Sequence, residues 1–461
     1  MPKQRVIAIF DIGKTNKKLF LFDEEYNIVS ERSTHFNEIK DEDGFPCENL
    51  DMLTAWVKRS LVEIIESTEL EVAAVNFSAY GASLVHLNRE GKPVTPLYNY
   101  LKPYDPALSG KFYKDYGGEV FFSSLTASPA LGNLNSGLQL YRLKYEKPEL
   151  FKSVYKSLHL PQYFSRLVTG RNYSDITSIG CHTGFWNFKQ HHYHEWVYRE
   201  DVLSLLADIH PSDKIISSAL EGKALAAGVG LHDSSAALIP YQKSFPEPFL
   251  LLSTGTWNIS LNPFNHSPLT AGELAQDCLC YLSYEGKPVK AARLFAGHEH
   301  AEQCRKLAAH FLKSDQFFEA VRFNPEYIDP EWTHIEKIPD YEPGRFEHPD
   351  YSKFSDYEAA YHRMIAGIVL QQQASSELVL QGSSAKRIFV DGGFSRNEVF
   401  MQMAAIRFAP LQVFAATVAQ ASALGAALAI HHGWNKNQVP EDLVELKNYS
   451  MNKKSMSPFN L

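Results

Sequence analysis

Twice in this chain an apolar strand ends in a small polar turn and returns at once as a second strand, and the two occurrences lie about 240 residues apart. The first runs Val6-Ile-Ala-Ile-Phe10, then Asp11-Ile-Gly-Lys-Thr-Asn-Lys-Lys18, then Leu19-Phe-Leu-Phe22. The second is Phe249-Leu-Leu-Leu-Ser-Thr-Gly-Thr-Trp-Asn-Ile-Ser-Leu261. A hairpin repeated at the spacing of a whole domain suggests two copies of one domain with a ligand held between them. Solenoids and propellers, which repeat at much shorter periods, are not implied.

A third turn narrows the ligand. In Arg387-Ile-Phe-Val-Asp-Gly-Gly-Phe-Ser-Arg-Asn397 a short apolar strand meets paired glycines and then an apolar-periodic helix. Gly392 and Gly393 let the backbone approach a ligand with no Cβ in the way, and Asn397 opens a helix whose free N–H groups suit phosphate. The first hairpin adds Gly13 at its turn and Lys14, Thr15, Asn16, Lys17 and Lys18 as donors for phosphate oxygens, while Asp11 at the strand end is placed to hold a metal ion through water. Alone, the same residues would also make an ordinary hairpin with a charged tip. Three such turns together point to a nucleotide site.

These residues resemble the FGGY carbohydrate kinases, and the resemblance spans residues 5 to 430. It implies an α/β fold of two actin-like (ribonuclease H-like) ATPase domains with a cleft between them. Asp11 to Lys18 looks like the family's first phosphate loop, with Lys18 where arginine is common, and Ser253-Thr-Gly-Thr-Trp257 looks like the second, which places Thr254, Gly255 and Thr256 against phosphate. Val390 to Asn397 resembles the adenosine loop, and Ala421-Ser-Ala-Leu-Gly-Ala-Ala427 the late helix. Within the family, Leu231-His-Asp-Ser-Ser-Ala-Ala237, Thr-Gly-Thr-Trp257 and Phe323-Asn-Pro325 are similar to the rhamnulokinase and fuculokinase branch. The cofactors implied are ATP and Mg2+, with Asp11 and Asp233 as the metal's carboxylates.

Asp233 is the expected catalytic residue. A sugar hydroxyl is a poor nucleophile, and an aspartate hydrogen-bonded to it can take its proton as the phosphoryl group transfers. Aspartate before a helix is also a common N-cap, and the two roles are compatible. The resemblance points to Tyr80, Gly81, His232, Asp233 and Ser234 for the sugar, with Tyr80 either stacking on the sugar or packing in the core. Residues Asp175 to His182 are matched only by region. Tyr100, Leu294, Phe295 and Gln420 depart from the family pattern; the first three bear on which sugar is taken, and Gln420 reads as structural.

The 461 residues suffice for two domains with full cores, and 44% hydrophobic with 21% charged is ordinary globular composition. A net charge of −8 argues against nonspecific nucleic-acid binding. Five scattered cysteines fit reduced thiols, and neither His191-His-Tyr-His194 nor His298-Glu-His300 has zinc spacing, so both read as surface or pocket-lining groups. No apolar run approaches a membrane span and the first strand begins almost at once, so the expectation is a cytoplasmic enzyme acting on a small sugar, without membrane or nucleic-acid partners. A homodimer is left open.

The expected domains are 1–240 (sugar side), 245–430 (nucleotide side) and a polar tail over 431–461, with Tyr241 to Pro248 as linker and an irregular segment over 313–350. The substrate expected from the resemblance is a deoxyketose or pentulose such as L-rhamnulose or L-fuculose; xylulose, ribulose or a polyol is the alternative. In another class, the chain would be a non-catalytic nucleotide-dependent sugar sensor or scaffold.

Overall fold

The computed structural model describes residues 3–335, 338, 341–346 and 348–449. The tail segment Met451 to Pro458 lies outside the described residues. The fold is mixed α/β with two compact units.

The first unit comprises residues 1–244, 280–288 and 419–441. Its sheet is built on the strand Gln4–Ile12, which pairs antiparallel with Lys17–Phe22 and parallel with Leu70–Ala79. Five consecutive residues, Val6 to Phe10, are wholly buried, as expected for a strand covered on both faces. Ile28–Thr34 extends one side, and Ile216–Leu220 with Lys223–Ala227 the other. The short strand Leu231–His232 pairs with the end of Leu70–Ala79, matching His232 to Ala79. That register delivers Asp233, the next residue, to the sheet edge where Asp11 and Ser78 also lie opposite one another. Helix Leu50–Ile65 covers one face with Leu53, Val57, Leu61 and Ile64 at the 3–4 spacing of an apolar stripe, and Asn49 caps it by accepting from the Met52 N–H at 3.1 Å.

The second unit comprises, among the described residues, 245–279, 289–418 and 442–449. Phe249–Thr254 pairs antiparallel with Asn258–Asn262 and parallel with Arg387–Gly392, and the sheet continues through Gln412–Thr417 to Glu445–Asn448. The long helix Tyr357–Leu380 packs on it through Tyr361, Ile365, Ile368 and Val369.

The compact units divide the chain differently from the expected boundaries. Residues 280–288 and the late helix Ala421–Ala429 belong to the first unit. The helix does so because Gly425 sits against the carbonyl of Ala236 so closely that a Cβ would lie 1.8 Å from it. The glycine of this motif therefore serves helix packing. Gln420 adopts a left-handed φ of 53° at the helix start, consistent with a structural role. Part of the expected tail is ordered as well: helix His431–Trp434 joins the first unit and strand Glu445–Asn448 the second.

Candidate active site

In the first unit, Asp11 is the next-to-last residue of its strand and Asp233 begins helix Asp233–Ser244, so both carboxyls stand near the ends of backbone elements. Asp233 Oδ1 accepts from the Ser234 N–H at 2.6 Å, and its side chain keeps 35% of its surface accessible. This bond to the adjacent N–H differs from an N-cap, which would accept from the second or third N–H of the helix, and it leaves the carboxylate partly open. Loss of hydration raises Asp233 to about 6, against the smaller opposing effect of the Ser234 hydrogen bonds. Asp11 is likewise raised to about 6, first by burial and further by the charge of Asp233, although the Ser422 hydroxyl donates to its Oδ2 at 2.8 Å. A base with a pKa near 6 is ionised at neutral pH and more basic than an ordinary carboxylate.

His232 lies beneath this pair, 5% exposed, with Nε2 3.5 Å from Asp233 Oδ1 and 3.4 Å from Cys181 Sγ. Burial lowers it to about 4, so it is neutral. Its main-chain N–H donates to Thr177 Oγ1 at 2.9 Å, and Thr177 in turn donates to the buried carboxyl of Asp175. The region Asp175 to His182 therefore braces the His232–Asp233 segment from behind. Gly81 abuts the imidazole: a Cβ there would lie 2.7 Å from His232 Nε2. Tyr80 is buried, its ring 6.3 Å from that of Tyr100 and edge-on to it, and its phenol donates to Glu48 Oε2 at 3.4 Å. Its ring packs among buried neighbours at this position.

The first loop, Gly13 to Asn16, is closed by the Gly13 N–H donating to Asn16 O at 2.9 Å. Thr15 and Asn16 are exposed at its tip, Lys14 pairs with Glu38 at 3.0 Å, and Lys18 pairs with Glu31 at 2.9 Å. Lys17 is placed otherwise than Lys14 and Lys18. Its side chain is 2% exposed and its ammonium lies 2.9 and 3.0 Å from the two oxygens of Glu48 and 2.9 Å from Lys14 O. Its ammonium is thus turned inward, donating to Glu48 Oε2 and to the carbonyl of Lys14, away from the exposed tip of the loop.

In the second unit a cavity of about 560 Å³ opens beside the second loop and the adenosine loop, lined among others by Gly255, Gly297, His300, Phe318, Gly393 and Asn397. Glycine is required at two points of its frame. Gly392 has φ +87° and would place a Cβ 1.9 Å from Thr254 O, and a Cβ at Gly297 would lie 1.8 Å from Gly255 O. The side chain of Thr254 also turns inward: its hydroxyl donates to Asp391 O at 2.5 Å and accepts from the Phe394 N–H at 2.9 Å, so it staples the two loops together. Gly255, Thr256 and Gly393 are exposed. Asn397 caps helix Glu398–Arg407 through the Phe400 N–H and donates from Nδ2 to the Tyr361 hydroxyl at 2.7 Å, which lies 2.9 Å from His300 Nε2. Burial lowers His300 to about 4, so its ring is neutral.

Residues 6–237 match the N-terminal domain of the FGGY family of carbohydrate kinases, and residues 246–438 match the family's C-terminal domain, described as carbohydrate kinase FGGY. This chain belongs to the FGGY family. Among curated relatives, a rhamnulokinase of Halalkalibacterium halodurans is 23% identical over 269 residues, covering 54% of this chain and 52% of that protein. A rhamnulokinase of Mannheimia succiniciproducens is 24% identical over 55% and 52%. The match thus spans about half the length of these relatives. A carbohydrate kinase from Novosphingobium aromaticivorans shares the fold at a TM-score of 0.77 and 22% identity, over 97% of this chain and 95% of that one. So does a xylulose kinase from Lactobacillus acidophilus, at 0.77 and 16%, over 99% and 96%.

The FGGY chain carries site residues that its sequence did not disclose. Tyr361 sits mid-helix within an apolar pattern, and Glu48 lies in a loop, so neither falls in a motif. His300 lines the cavity as expected of a pocket-lining group, whereas His194 is 3% exposed and caps helix Glu195–Arg199. Tyr361→Phe would strand buried groups on Asn397 and His300, and the expected cost is about 1–3 kcal/mol in urea unfolding. Among the described residues no group of three or more His, Cys, Asp or Glu is arranged to hold a metal, and no helix is long and apolar enough to cross a membrane.

Proposed function

We propose that this chain transfers the γ-phosphoryl group of ATP to a hydroxyl of an uncharged ketose, with Asp233 as the general base. The observation that carries this reading is the carboxylate at the start of helix Asp233–Ser244: accessible, desolvated enough to lie near 6, and backed by a neutral histidine. Such a group takes a proton from a hydroxyl as the oxygen attacks phosphorus.

The donor sets fit the implied cofactors. The charge of Asp233 raises the cost of ionising Asp11, and among the described residues no cage of further ligands surrounds them, which suits Mg2+ held mostly through its waters. The cavity of the second unit, walled by Gly393 and Gly255 and free of any Cβ there, suits a nucleoside. Mg2+ supplies charge neutralisation on the phosphates. The chain's own residues orient the base: Gly81 leaves room for the His232 ring beside it, and Asp175 and Thr177 brace the His232–Asp233 segment.

An uncharged substrate is favoured because each first-loop lysine already faces a carboxylate, Lys14 with Glu38, Lys17 with Glu48 and Lys18 with Glu31. No cation there is spare for an acid sugar. L-rhamnulose and L-fuculose lead the list, supported by the rhamnulokinase relatives and the Leu231 to Ala237 resemblance. ADP release measured with ATP and Mg2+ over L-rhamnulose, L-fuculose, L- and D-ribulose, L- and D-xylulose, glycerol and gluconate tests this. Turnover with one neutral ketose and none with gluconate is expected. ATP binding without turnover on any of them would favour the sensor reading.

A further inference from the structure

Glu48 joins two parts of the first unit that lie on either side of it in sequence, Lys17 31 residues before it and Tyr80 32 after. Its carboxylate receives Lys17 Nζ at 2.9 and 3.0 Å on its two oxygens, and the phenol of Tyr80 at 3.4 Å on Oε2. Lys17 passes the connection on by donating to the carbonyl of Lys14, inside the first loop. Lys17 and Glu48 are 2% and 4% exposed at the side chain. A buried ion pair of this kind is weak evidence for stability, because apolar residues of similar volume often serve as well or better. Its geometry has a use, however: one carboxylate fixes the backbone of the loop Gly13 to Asn16 and also the tyrosine beside Gly81. The phenol remains protonated and therefore a donor, since burial and the Glu48 charge both oppose its ionisation.

We propose that Glu48 is a positioning residue that ties the loop at Tyr80 and Gly81 to the loop at Gly13 to Asn16, so that sugar at the former sets the geometry of the latter. This rests on the kinase reading above. Glu48 touches neither the sugar nor the nucleotide in this role; it acts through Lys17 and Tyr80.

The test uses the full chain and two variants, Glu48→Gln and the double variant Lys17→Met/Glu48→Leu, which removes both charges together and keeps the site filled. Amide hydrogen exchange over residues 13–18 and the ratio of ADP release with and without the turnover sugar are read side by side. Glu48→Gln should speed exchange in the loop and lower the sugar-stimulated ratio by about a hundredfold, the scale of an ångström's misplacement. The double variant should melt near wild type and lose the ratio equally, which separates positioning from stability. A double variant with wild-type exchange and undiminished stimulation overturns the role of Glu48 while leaving the kinase reading intact. Absence of sugar stimulation in the wild type itself overturns the kinase reading, and the coupling with it.

Discussion

Asp233→Asn is expected to lower sugar-dependent ADP release by about 10²–10⁴-fold, the span that a positioned general base contributes. The fold should survive the change. Asn retains an oxygen to accept the Ser234 N–H, and the side chain it replaces is a desolvated carboxylate whose ionisation costs the native state. The sign of the stability effect follows. Folding raises Asp233 from 3.8 to about 6, so the native state holds its proton more tightly than the unfolded chain does. Wild-type stability therefore falls as pH rises from about 4 to about 6, and the deficit is complete above that. The variant lacks this loss and should melt higher than wild type at pH 8, with the difference gone by pH 4. Thermal melts over pH 4–8 check it; a variant that melts lower at pH 8 would contradict the desolvated state of the carboxyl. Activity runs the other way. As Asp233 and Asp11 protonate near 6, wild-type kcat/KM should fall on the acid side by tenfold per pH unit, or more steeply where both must be ionised.

Gly392→Ala should be the most damaging small substitution in the second unit. The left-handed φ of +87° costs a side chain about 1–3 kcal/mol. The added carbon would also stand 1.9 Å from the Thr254 carbonyl, a backbone atom that cannot turn aside. Thr254 and Gly392 are register partners at the end of their strand pair, so the strands must part where both loops leave the sheet. The Thr254 staple to Asp391 and Phe394 would break with them. ATP affinity measured by titration calorimetry should drop by at least about a hundredfold, or roughly 2.8 kcal/mol. Wild-type affinity would mean that this junction does not frame the nucleotide.

Much of the fold was legible because strand ends and glycine turns are local signals. The hairpins at Gly13 and Gly255, the strand before Gly392 and the cap at Asn397 all stand where alternation, turn chemistry and capping put them. What the sequence hid was tertiary. Lys17 reads as one of three equivalent loop lysines, yet the two-residue period of its strand sends it inward while Lys14 and Lys18 stay at the surface. Its partner Glu48 is distant in sequence and carries no pattern. Thr254 reads as a phosphate donor, and nothing local shows that the parallel strand Arg387–Gly392 lies beside it and takes its hydroxyl. The late helix follows the second unit in sequence but packs with the first, because Gly425 offers a flat surface to Ala236.

The most direct test of phosphoryl transfer to a sugar is ³¹P NMR of the protein incubated with ATP, Mg2+ and each neutral ketose. A new phosphate-monoester resonance that grows in step with ADP on one of these sugars, and is absent with Asp233→Asn, is the expected result. ATP that binds but yields only inorganic phosphate or remains intact, with no monoester on any sugar, would contradict it.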